Sequence, residues 1–353
     1  MTVPFLNGGK KRDQVFAVDL GSRVTKAVLL TRNQERFKLS RFAIQDAPVY
    51  EKGLSEGLLT EHLRAIVRAI EPRTRQLTLA VGSSDSVLRM AEMPLLPLND
   101  MRQMLRLNPK FYLQQNLTDY VFDCYFVPPR GKDALQGKAS SNVKYKAWIG
   151  GMRRDFLATL EAGVKGAGLV ADQVTLAVLG PVNAFELAQP ETFLKESTAL
   201  VDLGFKTSTI NVVSEGDLAL SRAVEIGGDK LTAGLAEAMG ITYAEAEGIK
   251  IGMPQEVESH LQPLVAPLGR ELRASIDFFE HDRDKTVSQV LICGGACRSD
   301  YILQLLQAEL GVPCKAWNNP AGLEPALNPQ QTVELEQVVG QLTVSIGAAS
   351  TLF

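Results

Sequence analysis

Two stretches decide how this chain is read. Residues 16–40 run FAVDLGSRVTKAVLLTRNQERFKLS, and residues 199–222 run ALVDLGFKTSTINVVSEGDLALSR. Val18-Asp19-Leu20-Gly21 recurs as Val201-Asp202-Leu203-Gly204, an offset of 183 in a chain of 353 residues. Each copy is an apolar run closed by Asp-x-Gly, then an alternating run, a polar turn (32–35 in the first copy, 214–217 in the second) and a third run. Such patterning predicts three strands per copy, so the chain reads as a duplicated α/β unit. A strand that ends in Asp then Gly leaves a carboxylate at its tip, and the turn beyond presents backbone N–H groups that can cradle phosphate oxygens. The carboxylate can hold Mg²⁺ through the ion's waters. Two such tips, one per half, would grip a phosphate tail from both sides.

Composition narrows the possibilities. Hydrophobic residues make up 45% and charged residues 22%, enough to bury sizeable cores over two or three domains. Against 37 Lys and Arg stand 40 Asp and Glu, a net charge of −3 that argues against a dedicated nucleic-acid binder. Four Cys and three His exclude a disulfide scaffold and argue against a zinc cluster. No apolar run is long enough to span a bilayer, and the opening MTVPFLNGGKKRDQ lacks the apolar core of a secretory signal. The expected location is cytoplasmic, with any membrane association supplied by a partner.

Two further elements carry binding chemistry. Residues 290–296, VLICGGA, read as a strand running into Gly294-Gly295, with a helix over 300–310. Glycines there let the backbone approach a ligand closely. The helix over 244–251 carries Glu247 and Lys250 in an E-x-x-K spacing, either a pair facing the site or an ordinary i,i+3 surface pair.

In this order the elements resemble the actin-like ATPase superfamily shared by actin, hexokinase, DnaK-type chaperones and FtsA. Asp19, Gly21, Ser22 and Arg23 resemble its first phosphate motif, and Lys26 resembles the phosphate-binding lysine of actin. Asp202 and Gly204, followed by Phe205, Lys206 and Thr207, resemble the second. Gly294 and Gly295 resemble the adenosine motif; Arg298 matches the adenine-stacking arginine of the chaperones or is a solvated arginine at a helix start. The resemblance implies two lobes around a nucleotide cleft, with Asp19 and Asp202 holding Mg²⁺ through water.

Residues 199–250 resemble one branch closely, the PilM family of type IV pilus assembly proteins. VDLG, the SEGDLALSR hairpin, Ile226-Gly227-Gly228-Asp229-Lys230-Leu231-Thr232 and the helix ending AEAEGIK carry that likeness. It implies a small α/β module of the FtsA and PilM type inserted in the first lobe. The chain then divides into a first lobe of 13–83, 169–195 and 331–353, an inserted module of 84–168, and a second lobe of 196–330. Within the module, strands are expected over 84–93, 120–127 and 143–150, and helices over 98–114 and 153–166. The first helix is read as capped by Asn99 or Asp100, with Pro109 kinking or ending it, and 128–142 as a loop. A helix over 336–348 is expected to return to the cleft.

For function, the resemblance implies ATP or ADP with Mg²⁺ between the lobes. It also implies a PilN-like inner-membrane protein as partner, its cytoplasmic tail lying in an apolar groove near 84–125. Gly227 and Gly228 join the nucleotide site by the same likeness. The chain would be peripheral to the inner membrane through that partner, with self-association left open. FtsA-type proteins end in a basic membrane-binding helix; this chain ends SIGAASTLF, without a basic run. Phe205 and Lys206 stand where the family has small residues, so the ring either crowds the terminal phosphate or lies beneath the loop. Hydrolysis needs a group that positions a water, and Asp229 is the one candidate, so weak or no turnover is expected. A filament-forming FtsA-like ATPase and a small-molecule kinase on the same fold stay as alternatives.

Other signals carry less. Gly163-x-x-Gly166-x-Gly168 follows a helix and reads as its stop, not as a dinucleotide loop, and no P-loop motif occurs. Cys293 and Cys297 read as buried thiols, and Trp148 and Trp317 as structural or peripheral.

Overall fold

The computed structural model describes residues 12–33, 36–50, 53–128, 144–317 and 323–352. The loop expected at 128–142 falls almost wholly outside them, as do Gln34 and Glu35 of the first polar turn.

Strands β1 (Gln14–Leu20), β2 (Val24–Asn33) and β3 (Arg36–Asp46) form an antiparallel meander, and β4 (Gln76–Val81) and β8 (Val170–Leu176) continue the sheet in parallel beside β1. The second sheet repeats this plan: β9 (Ser197–Leu203), β10 (Ser208–Ser214) and β11 (Asp217–Val224) are an antiparallel meander, with β12 (Gln289–Gly294) and β13 (Cys314–Ala316) added in parallel. Strands in the middle of each sheet are buried on both faces, which explains their near-continuous apolar runs. In the second polar turn Glu215 and Gly216 have φ of 53° and 80°. Two successive left-handed residues are what a tight hairpin requires.

Between β4 and β8 lies the three-stranded sheet β5–β7–β6, built from β5 (Ser86–Pro94), β6 (Tyr120–Phe126) and β7 (Lys144–Arg153). The helix Leu98–Leu107 buries Met101 and Leu105 against Met93, Phe122 and Ile149. The helix expected over 98–114 is broken at the proline, as that residue predicted. Pro97 is the cap residue, not Asn99 or Asp100, and Pro109 opens a separate short helix, Pro109–Leu113, after a break at Asn108. The proline cannot supply the N–H that would have continued the first helix. The returning C-terminal helix is also two pieces, Pro329–Val338 and Thr343–Ser350, joined by a 3₁₀ turn over Val339–Leu342. Strand β14 (Glu324–Pro325) pairs with β3, so it adds to the first sheet although the sequence division placed it with the second lobe.

Two contacts tie these parts together. The helices Gly180–Ala188 and Thr343–Ser350 cross at glycines: a Cβ on Gly347 would run into the Gly180 carbonyl, and one on Gly180 would meet Val344 at 2.7 Å. Trp148 of β7 donates its buried indole N–H to the Leu218 carbonyl of β11 at 2.9 Å. The small sheet therefore touches the second sheet as well as the first, and Trp148 is no peripheral residue. Trp148→Phe keeps an aromatic ring but removes the N–H and part of the indole, which orphans the Leu218 carbonyl and opens a void; together these should cost about 2–4 kcal/mol. Denaturant unfolding of the two proteins measures this, and equal midpoints would show that the bond contributes nothing.

Candidate functional site

The turns after β1 and β9 face each other across a cleft of about 360 Å³. In the first unit Asp19 pairs across the strands with Lys26. In the second, Asp202 pairs with Thr209, so the repeat places Thr209 where the first copy has lysine. Asp19 is nearly buried, and the Lys26 ammonium bonds its Oδ2 at 2.9 Å. Burial opposes charge on Lys26, but the carboxylates of Asp19 and Asp202 outweigh it and hold the ammonium above the ordinary lysine range. Asp202 has the opposite fate. Withdrawn from water and repelled by Asp19, its carboxyl is pushed up to about 6 despite the pull of Lys26. The two acidic tips thus differ: Asp19 is already neutralised by a partner, and Asp202 is not.

Close backbone approach shapes the turns. A Cβ on Gly21 would lie 2.5 Å from the Val24 carbonyl, and one on Gly204 2.5 Å from that of Thr207. Gly294 has φ of 92°, and a Cβ there would collide with the Asp202 carboxylate. The helix Gly228–Met239 is anchored to the second turn, its Gly228 and Asp229 N–H groups donating to the carbonyls of Gly204 and Phe205 at 2.9 Å each. Those N–H groups are therefore spent on the protein.

Phe205 lies neither beneath the loop nor free. The Arg23 guanidinium sits 5.0 Å from its ring centre and 5.9 Å from that of Tyr243. Arg23 comes from the first unit and both rings from the second, so this cation–π contact bridges the cleft. Ser83 and Thr207 add a second bridge, hydroxyl to hydroxyl at 3.2 Å.

Glu247 and Lys250 are no ordinary surface pair. Lys250 is 3% exposed and bonds Glu247 Oε2 at 2.6 Å, and the Thr232 hydroxyl lies 2.5 Å from both partners. Burial would raise the Glu247 carboxyl, but the bonds from Lys250 and Thr232 outweigh it and keep it below the usual range.

Most sequence-derived candidates meet here. Asp19, Gly21, Ser22, Arg23 and Lys26 line one wall; Asp202, Gly204, Phe205, Lys206, Thr207 and Gly228 line the facing one, with Glu247, Lys250, Gly294 and Gly295 beyond. Gly227 is buried behind the second turn and does not line the cleft. Asp229 does not line it either: its carboxylate accepts a 2.9 Å bond from the Tyr243 hydroxyl. The side chain of Arg298 lies outside the described residues, so its adenine-stacking reading has no geometry. Cys293 is buried and its thiol is held well above the ordinary range, first by burial and then by Asp202. No cluster of metal-ligating side chains occurs among the described residues. The sequence missed Tyr50, the loop Gly82–Asp85, Ser299 and Gln341, all of which line the cleft. Only the Gly-Ser-Ser-Asp run of the loop carried a turn signal.

A family model described as "Type IV pilus assembly protein PilM" matches residues 17–351. The chain belongs to the PilM family. Among solved structures, a PilM–PilN type IV pilus biogenesis complex is similar over 96% of this chain and 98% of that one, with 18% identity and a TM-score of 0.80. The ethanolamine utilization protein EutJ from Carboxydothermus hydrogenoformans is similar over 98% of this chain and 91% of its own, at 17% identity and TM-score 0.54. MreB5 of Spiroplasma citri bound to AMPPNP follows over 94% and 95%, at 11% identity and TM-score 0.50. This PilM-family chain has the actin-like fold. No helix among the described residues is long and apolar enough to cross a membrane.

Proposed function

We propose that this chain is a nucleotide-binding adaptor of the inner-membrane assembly complex of a type IV pilus. Its partner is the cytoplasmic tail of a PilN-like membrane protein. The observation that carries the nucleotide reading is the convergence of Asp19 and Asp202, from two repeated units, on one cleft. The residues fit Mg–ATP or Mg–ADP. Asp202 offers a carboxylate without a bonded cation, and opposite it the nearly buried Thr209 hydroxyl has no partner. Lys26 and Lys206 line the cleft and supply positive charge for phosphate oxygens. Bound Mg²⁺ would neutralise the phosphate charge there. Slow or absent hydrolysis is supported by Asp229, which is not among the residues lining the cleft and whose carboxylate is engaged by the Tyr243 hydroxyl.

The partner reading draws on the family and on the inserted module. Leu95, Leu107 and Phe111 are 60%, 74% and 70% exposed there, large apolar side chains that a docking peptide would cover. Calorimetric titration with Mg–ATP, with and without a peptide of a PilN-like tail, tests both parts. The expected result is nucleotide binding whose affinity the peptide shifts, with an equal reciprocal shift for the peptide. Peptide binding without any nucleotide binding would reduce the protein to a scaffold, and hydrolysis as fast as a dedicated ATPase would refute the adaptor reading.

A further inference from the structure

A second cavity, of about 590 Å³, lies in the inserted module between the helix Leu98–Leu107 and strand β6. Its charge is one-sided. Arg102, Arg106 and Arg154 line it against one carboxylate, Asp123, an excess of two positive charges in a chain whose net charge is −3. That carboxylate is already engaged. Asp123 is 1% exposed and accepts from Nε and Nη2 of Arg102 at 3.3 and 2.9 Å and from the Cys124 N–H at 2.9 Å. Burying a carboxylate is costly, and burial holds this one above the ordinary range despite its bonds. What it secures is the position of a guanidinium on the groove wall. The Arg102 side chain is still 39% exposed, and a guanidinium has more N–H donors than this pair uses. Arg106 and Arg154 are exposed and make no ion pair among the described residues; the neighbouring Arg153 takes Asp155.

Size and lining select the occupant. A single phosphate or carboxylate would leave most of the volume empty, and Leu107 and Tyr120 add apolar surface beside the arginines. Guanidinium forks match carboxylates with paired hydrogen bonds. An apolar segment would leave Arg106 and Arg154 unpaired, and a basic one would be repelled. We propose that this groove is a second docking surface of the protein, and that its occupant is an acidic segment of a partner protein. Carboxylates of that segment meet Arg106 and Arg154, and its apolar side chains cover Leu107. The groove is at the β6 edge of the small sheet. Leu95 follows β5, and the helix that carries Phe111 packs on β5, at the opposite edge. The proposal therefore goes beyond the tail surface described above and does not depend on it.

The test is fluorescence anisotropy of a short labelled peptide of interspersed Glu and Leu, beside the same peptide with Gln in place of Glu. Wild-type protein should bind the Glu peptide and not the Gln peptide, and added salt should weaken the complex. Arg106→Gln and Arg154→Gln should each lose roughly two- to fivefold in affinity, and the double variant roughly tenfold. Their melting temperatures should match wild type, because both side chains are exposed and unpaired. Arg68→Gln, exposed on the helix Glu56–Ile70, is the control for general attraction to arginine and should bind as wild type does. Equal binding of the two peptides, binding of neither, or an equal loss in Arg68→Gln would overturn the proposal. So would binding of phosphatidylglycerol vesicles that the double variant loses, without peptide binding, since the groove would then meet a lipid surface. If a peptide of the PilN-like tail displaces the acidic peptide, the two surfaces are one and the second falls.

Discussion

Asp202→Asn should weaken Mg²⁺-dependent nucleotide binding roughly a hundredfold and, at the same time, make the protein harder to unfold at pH 7.5. The carboxyl is pushed from an ordinary 3.8 up to about 6 by burial and by Asp19, against the attraction of Lys26. A folded-state value above the unfolded one means that the folded chain holds the proton more tightly. Stability therefore falls as pH rises from about 4 to about 6, and above that the folded state carries the full penalty, on the order of 2–3 kcal/mol. Asparagine keeps the shape and removes the charge, while Lys26 keeps its bond to Asp19. The melting temperature of Asp202→Asn should exceed that of wild type by a few degrees at pH 7.5, and the two should converge below about pH 3.5. Calorimetry should show Mg–nucleotide affinity reduced roughly a hundredfold. A variant that melts lower at pH 7.5 would show that the carboxylate stabilises the fold, and one that binds normally would remove Asp202 from the site. A group that costs stability and is needed for binding is the pattern expected where a site is built at the expense of the fold.

Gly347→Ala is expected to be the most damaging single-methyl addition. A Cβ at this position runs into the carbonyl carbon and oxygen of Gly180, and no flexible side chain is there to yield. The helix Thr343–Ser350 is buried from Thr343 through Ala349, and Val344 is pressed on the Gly180 backbone, so separation would have to open the core. Overpacking of this kind costs about 3 kcal/mol. Gly248→Ala is the matched control. It lies inside the helix Tyr243–Gly252, with nothing within 4 Å of the added atom, and should gain about 0.5–1 kcal/mol from the less flexible unfolded chain. Denaturant midpoints of the three proteins decide the matter, and a Gly347→Ala midpoint at the wild-type value would mean that the crossing is loosely packed.

Much of the architecture was legible because it is encoded locally. The Asp-x-Gly repeat announced both meanders, and pairing of Asp19 with Lys26 and of Asp202 with Thr209 follows from short turns that leave little choice of register. Pro109 broke its helix for a reason visible in one residue. What was illegible depends on distant contacts. Tyr50 and Ser83 reach the cleft only because β3 and β4 deliver their loops there. The 3₁₀ turn over Val339–Leu342 interrupts an acceptable helical sequence where it packs against β2 and β12. Phe205 could not be oriented from its own neighbours, since its partner Arg23 lies 182 positions earlier. The ties of Glu247 and Lys250 to Thr232 likewise join two helices, which a spacing rule within one helix cannot foresee.

The contact of Arg23 with Phe205, and of Ser83 with Thr207, bears on timing as well as on affinity. Both pairs cross from one lobe to the other beside the second turn, so a ligand arriving at that end meets a clasp. Were these contacts to part before a ligand could enter, its arrival rate would follow how often they open, and its apparent affinity the fraction of molecules found open. The same clasp, closed behind a bound ligand, lengthens its residence. If the cleft holds a nucleotide as proposed, such a clasp would favour slow exchange over rapid turnover.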